Sequence, residues 1–297
     1  MASLTEPWTL GGVHIPNRVV LAPLAGIGNW FVRLQAKRHG AGLVVSEMVS
    51  SFAIHHRNER TCTQMLRVHP DEHPVSIQLF GPRPDVMRSA AARVAETGAD
   101  LIDLNMGCPV PKVCKTGAGA ALLADPDTAV AVARAAREGS GLPVTVKLRS
   151  GQRPGETNGF TLAHRLVEEA GVVGITFHPR SAAVHHKGTP DYDLAAQLVA
   201  SLPVPVVITG GIADADAAHR AHERTGAAAV MLARGSLGNP WLFGQLVGSQ
   251  PSTPTANEVL DELAWVMERA VEHLGERRAV GFLRKFYPWY LTHLGGA

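Results

Sequence analysis

The stretch Val206–Gly235, VVITGGIADADAAHRAHERTGAAAVMLARG, contains the unit from which this chain is built. A short β-branched run, Val206–Thr209, is followed by a helical pattern over Asp214–Thr225 and a second apolar run over Ala229–Ala233. Runs that are apolar almost throughout are typical of strands buried on both faces, as in a parallel sheet covered by helices. The stretch therefore predicts two parallel strands joined by a helix.

Similar units recur along the whole chain. Helical patterns cover Arg83–Thr97, Asp125–Gly139 and Thr161–Ala170, and the second of these begins with Asp-Pro-Asp, a cap followed by an early proline. An open doubly wound sheet is compatible with this alternation, but no glycine-rich dinucleotide turn follows the first strand. We therefore predict a (β/α)8 TIM barrel. Its eight predicted strands are Val19–Leu24, Leu43–Ser46, Val75–Phe80, Leu101–Asn105, Val144–Leu148, Gly174–His178, Val206–Thr209 and Ala229–Ala233.

A different composition begins after the last unit. Gly248–Pro254 (GSQPSTP) has the composition of a linker. Ala256–Gly275 and Val280–Leu294 have the apolar spacing of amphipathic helices. We expect a barrel domain over residues 1–247 and a small helical domain over residues 255–297.

The overall composition is that of an ordinary globular protein. Of 297 residues, 45% are hydrophobic and 18% are charged, which excludes collagen-like and disordered chains. The net charge of +2 gives no bulk field for nucleic acid, although a local basic stripe is compatible with it. No apolar run reaches the roughly 18 residues of a membrane span, and the first residues lack a signal-peptide pattern. Three cysteines, Cys62, Cys108 and Cys114, are few and odd in number, which favours a reducing compartment, and we expect a cytoplasmic protein.

Glycines follow both strands of the opening stretch. Gly210-Gly211 comes after the seventh predicted strand, and Arg234-Gly235 comes after the eighth. Active sites of such barrels lie at the C-terminal ends of the strands, and the loops after strands 7 and 8 commonly bind phosphate. Backbone N–H groups at glycines approach an anion closely, and Arg234 adds positive charge. The two loops together predict a phosphate site, whereas one alone would fit an ordinary turn.

Two polar residues interrupt predicted strands. Lys147 fits a Schiff-base amine or a cation beside an anionic ring, and the structural alternative is a strand-end lysine that reaches solvent. Gln78 needs hydrogen-bond partners if it is buried, and either the edge of a planar heterocycle or a backbone group would supply them.

Cys108 follows the fourth predicted strand, between Gly107 and Pro109. A lone cysteine is usually a small buried hydrophobe, and zinc is poorly supported because Cys108 and Cys114 have no matching second pair. An unperturbed thiol, with a pKa of about 8.5, is protonated at pH 7, which favours an acid over a nucleophile. The neighbouring histidines His185-His186 lack supporting ligands, so we predict no metal site.

At this point the chain resembles a known family, the tRNA dihydrouridine synthases, and most closely their bacterial B-type branch. The motif around Asn105-Met106-Gly107-Cys108-Pro109 is the most specific part of the resemblance. The matching stretches run in order along nearly the whole chain: Leu21–Gly26, Gly40–Ser51, Ile77–Gly81, Asp103–Val113, Gly117–Leu123, Val146–Arg149, His178–Arg180, Gly188–Tyr192, Ala233–Phe243 and Arg284–Tyr290.

The resemblance implies an FMN-binding barrel with a helical tRNA-binding domain that reduces particular uridines of tRNA with NADPH. Cys108 would be the catalytic acid, Asn105 and Arg180 would contact the uracil, and Arg284 and Lys285 would contact tRNA. Because the uracil 5,6 double bond is conjugated with the C4 carbonyl, hydride should add at C6 and the proton at C5. The resemblance implies no membrane, metal or obligate protein partner. The residues that would hold the flavin are Ala22, Pro23, Leu24, Gln78, Lys147, His178, Gly210, Gly211, Arg234 and Gly235.

The chain also departs from the family pattern. Thr209-Gly210 stands where Asn-Gly is common, Gly28-Asn29 where Thr-Asp is usual, and Ala182–Lys187 where a more polar loop is common. The C-terminal motif reads Arg284-Lys285-Phe286 rather than ending in histidine, and the predicted helical domain is short. Three other functions stay open: an FMN barrel that reduces a free dihydroorotate- or enone-type molecule, a Schiff-base aldolase using Lys147, and a catalytically silent RNA-binding barrel.

Overall fold

A computed structural model describes residues 2–250 and 253–294 of the chain. The first element is an antiparallel hairpin of β1 (Trp8–Leu10) and β2 (Val13–Ile15), which the sequence did not predict. The remaining strands form one parallel sheet. They are β3 (Val19–Leu21), β4 (Leu43–Val45), β5 (Val49–Ser50), β6 (Val75–Phe80), β7 (Leu101–Met106), β8 (Val144–Arg149), β9 (Gly174–His178), β10 (Val206–Thr209) and β11 (Ala229–Leu232).

This sheet closes on itself, which confirms the predicted (β/α)8 barrel. The last strand β11 pairs with the first barrel strand β3, with Met231 opposite Val20. The other seam joins β4 to β6, with Val44 opposite Val75, while the short β5 pairs with the upper part of β6. Eight strands therefore form the barrel, and β5 is an addition beside them. Pro23 lies in the run predicted as the first strand, and the strand ends earlier, at Leu21, because proline has no N–H for the ladder.

Helices alternate with the strands and cover the barrel. The sequence did not predict those over Trp30–Arg38, Ser51–His55, Pro111–Cys114, Tyr192–Ser201 and Trp241–Val247. Short 3₁₀ helices occupy Pro70–Glu72, Gly119–Ala124 and Arg234–Ser236. The α-helices are α1 (Trp30–Arg38), α2 (Ser51–His55), α3 (Pro84–Ala95), α4 (Pro111–Cys114), α5 (Pro126–Ser140), α6 (Asn158–Ala170), α7 (Tyr192–Ser201), α8 (Ala215–Thr225), α9 (Trp241–Val247), α10 (Ala256–Leu274), α11 (Glu276–Leu283) and α12 (Phe286–Leu291).

Capping residues set the limits of the predicted helices. Asp125 and Asp214 precede α5 and α8, and each carboxylate accepts a backbone N–H from inside the first turn, at 3.1 and 2.7 Å. Gly141 and Gly226 follow these helices with φ of 67° and 65°, the left-handed conformation that glycine adopts without strain. Helix α5 therefore ends at Ser140, one residue after the predicted end Gly139, and the glycine that caps it is Gly141.

The barrel interior changes from apolar to polar along each strand. On β7, Leu101 lies in the lower core, Asp103 is buried above it, and Asn105 reaches the top. The hairpin closes the lower end: Trp8 and Leu10 pack against the apolar residues that line the interior there. A Cβ at Gly174, which begins β9, would lie 2.6 Å from Leu10 Cδ1, so the hairpin packs closely against this end of β9.

The C-terminal helices rest on α1, outside the barrel. Gln35 Nε2 donates to Glu262 Oε1 at 2.8 Å and to the Tyr290 hydroxyl at 2.6 Å, and all three residues are buried. The single helix predicted over Val280–Leu294 is wrong, because the segment forms the end of α11 and then α12. Pro288 explains the break, since its ring would clash with the carbonyl of a helical residue four positions earlier.

Two further observations concern the predicted linker and the membrane. Residues 251 and 252, in the predicted linker, lie outside the described residues. Within residues 2–250 and 253–294, no helix combines the length and the apolar character needed to cross a bilayer.

Candidate active site

A cavity of about 690 Å³ opens at the C-terminal ends of the barrel strands. The loops after most of the strands contribute to it, as expected for this fold. Every residue that we predicted to act as the acid, to hold the flavin or to contact the uracil lines this one cavity: Ala22, Pro23, Leu24, Gln78, Asn105, Cys108, Lys147, His178, Arg180, Gly210, Gly211, Arg234 and Gly235. The structure thus brings these residues together, while their individual roles stay predictions.

One side of the cavity is lined by the glycine loops. Gly210 and Gly211 have φ of 100° and 78°, and a Cβ at Gly211 would meet Pro190 Cγ at 2.8 Å. A Cβ at Gly235 would approach the carbonyl oxygen of Ile212 at 2.8 Å. Beside them, Arg234 is exposed and has no acidic partner among the described residues. Close backbone approach and an unneutralised guanidinium are the features that favour an anion here.

Lys147 contributes a positive charge to the cavity from β8. No hydrogen-bond partner for its amine occurs among residues 2–250 and 253–294, so the amine is available to a ligand. Burial lowers the pKa of Lys147 to about 8, and Arg149 acts in the same direction, while the Asp103 carboxylate opposes both. At neutral pH the amine is therefore mainly protonated, and the group acts as a cation rather than as a free nucleophile.

Cys108 lies in the loop after β7, and its backbone N–H donates to Asn105 Oδ1 at 2.9 Å. The thiol of Cys114 donates to the carbonyl oxygen of Cys108 at 3.3 Å, so the second cysteine supports this loop. Burial raises the pKa of the Cys108 thiol. The thiol therefore keeps its proton at neutral pH, which fits an acid better than a nucleophile.

Gln78 satisfies its amide through neighbouring side chains, so the backbone partner that we considered is not used. Its Nε2 donates to Asp103 Oδ2 at 2.6 Å, and its Oε1 accepts from Asn105 Nδ2 at 3.0 Å. One N–H of Nε2 is left for a ligand.

His178 and Arg180 form a pair above β9. Arg180 Nη1 lies 3.2 Å from His178 Nε2, while its other nitrogens donate to the Gly188 carbonyl at 3.1 and 2.6 Å. Burial and the charge of Lys147 hold the pKa of His178 far below its ordinary value, so the ring is neutral and Nε2 accepts. Sequence reasoning missed His186, whose ring stacks on His178 with centroids 6.1 Å apart. The only signal was its position in the loop that follows a barrel strand.

Arg149 was also missed as a residue that shapes the site. Its guanidinium donates to the carbonyl oxygens of Gly107 at 2.9 Å, Ser181 at 3.0 Å and His185 at 2.7 Å. It thereby ties the loop after β7 to the loop after β9. Its place two residues after Lys147, at the end of the strand, was the available signal.

The predicted tRNA contacts lie outside the cavity. Arg284 and Lys285 are exposed between α11 and α12. Lys285 Nζ donates to the carbonyl oxygen of Gly26 at 3.4 Å, in the loop that continues from the cavity residue Leu24. His293, beyond α12, lines the cavity itself. The C-terminal helices thus stand at the rim of the opening.

Metal binding receives no support from the arrangement of ligands. No group of three or more His, Cys, Asp or Glu side chains suited to a metal ion occurs in the described part of the chain. His185 and His186 lie without such a third ligand.

Comparison with known proteins adds the family. The fold and the cavity define a (β/α)8 barrel with a ligand site at its C-terminal end. The family model described as dihydrouridine synthase matches residues 20–297, and the chain belongs to this family. It is 36% identical over 298 residues to a probable tRNA-dihydrouridine synthase 1 of Synechocystis, covering 98% of this chain and 83% of the relative. It is 34% identical to tRNA-dihydrouridine synthase B of Pseudomonas aeruginosa, covering 97% of this chain and 88% of that one.

Solved structures share the fold at lower identity. A variant of morphinone reductase in complex with tetrahydroNAD has a TM-score of 0.64 and 16% identity, covering 84% of this chain and 92% of that one. At this identity the likeness concerns the barrel alone.

Proposed function

We propose that this protein reduces uridine in tRNA to 5,6-dihydrouridine, with bound FMN as the hydride carrier and NADPH as the reductant. The observation that carries the proposal is the single cavity in which an anion site, the Lys147 amine and the Cys108 thiol meet. Membership of the dihydrouridine synthase family supports the substrate. The residues of one cavity would then bind the cofactor, bind the uridine and supply the proton.

The cavity residues fit a flavin mononucleotide. A volume of about 690 Å³ lies in the range of small-molecule sites. The glycine loops and Arg234 would hold the phosphate, because backbone N–H groups at glycines approach an anion closely and Arg234 adds positive charge. At Gly211 and Gly235 a side chain would clash with the walls of the cavity. Gln78 has an N–H left for a ring carbonyl, and Lys147 would face negative charge on the ring. Thr209 departs from the family pattern, and its hydroxyl donates to the Met231 carbonyl at 2.9 Å, so we assign it no ligand contact.

Bound FMN, when reduced, would supply a hydride for C6 of the uracil. The Cys108 thiol would give its proton to C5, where the electron pair of the 5,6 bond would be left. Asn105 and Arg180 would hold the pyrimidine by its polar edge. The Lys147 cation would stabilise the negative charge that develops during the reaction, in a site where burial strengthens electrostatic interactions.

Delivery of the uridine requires that the nucleotide leave its stack, because the reacting atoms lie below the rim of the barrel. Arg284 and Lys285 stand at this rim, where tRNA phosphates would pass. A solvated helix face is the other explanation of such exposed cations, so salt-dependent binding decides between the two. We place the protein in the cytoplasm, in keeping with its three unpaired cysteines.

The deciding experiment gives the purified protein FMN, NADPH and tRNA that lacks the modification. We expect dihydrouridine in the tRNA by mass spectrometry of nucleosides and no reduction of free uracil or uridine. Reduction of free uracil, of dihydroorotate precursors or of enones at equal or higher rate would instead indicate a small-molecule oxidoreductase. A colourless protein that binds tRNA without reducing it would overturn the proposal. Mapping dihydrouridine in cells with and without the protein identifies the position.

A further inference from the structure

A continuous row of polar side chains runs from the barrel interior up to the floor of the cavity. Asp103 on β7 is 2% exposed, and both of its carboxylate oxygens accept a hydrogen bond. Thr145 Oγ1 donates to Oδ1 at 2.7 Å, and Gln78 Nε2 donates to Oδ2 at 2.6 Å. A buried carboxylate is costly unless it is paired in this manner, so the arrangement must be maintained by its neighbours.

The row continues upward from Gln78 to the cysteine loop. Gln78 Oε1 accepts from Asn105 Nδ2 at 3.0 Å. Asn105 Oδ1 then accepts from the backbone N–H groups of Gly107 at 3.2 Å and of Cys108 at 2.9 Å. We call Thr145, Asp103, Gln78 and Asn105 the Asp103 row.

From the cysteine loop down to Asp103, the hydrogen bonds along this row all run in one direction, from donor to acceptor, and Asp103 sets that direction. A primary amide has nearly the same shape after a half-turn, so packing alone does not decide which end is oxygen. A carboxylate only accepts, so it draws the Nε2 end of Gln78 to itself and leaves Oε1 for Asn105. Asn105 must then turn its oxygen towards the loop. In the reversed row, Asn105 Nδ2 would face two backbone donors.

We propose that Asp103 is a positioning residue that fixes the amide orientation of Gln78 and Asn105 and thereby holds the backbone that carries the Cys108 thiol. The inference rests on the proposed role of Cys108 as the proton donor. Burial raises the pKa of the Asp103 carboxyl, and the hydrogen bonds from Gln78 and Thr145 and the charge of Lys147 oppose that rise. The direction of the row rests on geometry, in which both oxygens of Asp103 accept a hydrogen bond.

The test uses substitutions that hardly change volume, so that the fold is kept. In Asp103→Asn, the amide can turn either its oxygen or its NH₂ to Gln78, because the Thr145 hydroxyl both donates and accepts, so the direction of the row is no longer specified. In Thr145→Val, the carboxylate still faces Gln78, so this variant is the matched control.

We expect Thr145→Val to keep the single-turnover rate of uridine reduction within about threefold of the wild type. We expect Asp103→Asn to lose about tenfold, because in the reversed row donors are left facing donors. The loss should appear in kcat and not in KM for tRNA. An Asp103→Asn variant as fast as Thr145→Val would overturn the proposal.

A second measurement needs no activity. Residue-resolved hydrogen exchange on the flavin-free protein should be about tenfold faster at the Gly107 and Cys108 amides in Asp103→Asn than in Thr145→Val or the wild type. The Ile102 amide, which donates to the Pro143 carbonyl at 3.0 Å in the strand ladder, should be unchanged. Equal exchange at Gly107 and Cys108 in all variants would contradict the row. If the wild-type protein failed to reduce tRNA, the exchange would still decide on the row, so the two failures are distinguishable.

Discussion

The barrel mouth and the C-terminal helices differ in how their polar groups are satisfied. At the mouth, buried side chains are bonded to one another, and Lys147 lines the cavity without a hydrogen-bond partner among the described residues. On the C-terminal side, one buried trio of Gln35, Glu262 and Tyr290 attaches α10 and α12 to the barrel, and charged residues such as Arg284 are exposed. A buried polar group without a partner indicates a ligand site, because leaving such a group unpaired is costly. An exposed charge looks the same whether it binds a partner or only water.

The largest effect that separates the two regions should come from Cys108. We expect Cys108→Ala to lower dihydrouridine formation by about 10²- to 10⁴-fold, the usual contribution of a positioned acid. Bound flavin and the oxidation of NADPH should persist, because the thiol contacts neither step in the proposed scheme. Nucleoside mass spectrometry and absorbance measure the two quantities.

Cys114→Ala is the matched control, since Cys114 supports the same loop but does not line the cavity. It should keep most of the activity. Full uridine reduction by Cys108→Ala would remove the thiol from the mechanism.

Arg234→Ala should weaken FMN binding by about 10- to 100-fold, because a hydrogen bond to a charged group contributes about 1.5–3 kcal/mol. Titration of the flavin-free variant, followed by flavin fluorescence, gives the Kd. Arg220→Ala on α8 is the control, because Arg220 is exposed and lies outside the cavity lining. Equal affinity in both variants would show that Arg234 does not contact the phosphate.

Lys147 should make the stability of the flavin-free protein depend on pH. Its pKa of about 8 in the folded chain lies below the ordinary value of 10.5, so the unfolded chain binds more protons between these values. Wild-type stability should therefore rise with pH from 8 to 10.5 relative to Lys147→Met, by at most about 1.4 kcal/mol per pH unit.

Urea unfolding at several pH values measures this difference. Lys112→Met on α4 removes an exposed lysine and corrects for the loss of one positive charge. A constant difference between wild type and Lys147→Met over this range would contradict the burial of the amine.

The smallest effect should come from the C-terminal region. The double variant R284A/K285A should weaken tRNA binding several-fold and reduce the slope of log Kd against log salt by about one per lost phosphate contact. Single-turnover reduction at saturating tRNA should stay near the wild-type rate. If the rate fell while tRNA binding was unchanged, the assignment of the reaction to the barrel mouth and of tRNA binding to the C-terminal helices would be wrong.

The sequence was sufficient for most of the barrel. Val75–Phe80, Gly174–His178 and Val206–Thr209 have the predicted ends, because strands buried on both faces are apolar without interruption. The cavity could be predicted for the same reason. Polar residues such as Asn105 and Lys147 stand at strand ends, and the fold brings these ends together.

The parts that could not be predicted lack such a periodic signal. The hairpin strands Trp8–Leu10 and Val13–Ile15 have three residues each, too few for a pattern. Helix α1 buries Arg33, whose guanidinium is paired with Glu72 at 2.7 Å, so its sequence does not show an apolar face. His186 lies in an irregular loop, where side-chain direction depends on the neighbouring loops. The break before α12, in contrast, was readable from Pro288.

The hairpin at the lower end has a kinetic consequence. Because Trp8 and Leu10 close the lower end of the barrel, substrates enter and products leave through the one opening at the C-terminal ends of the strands. Under the proposed reaction, NADPH and tRNA must then bind to the cavity one after the other, because each blocks the opening while it is bound. Double-reciprocal plots at several concentrations of the second reactant would be parallel lines, with substrate inhibition by either one in excess.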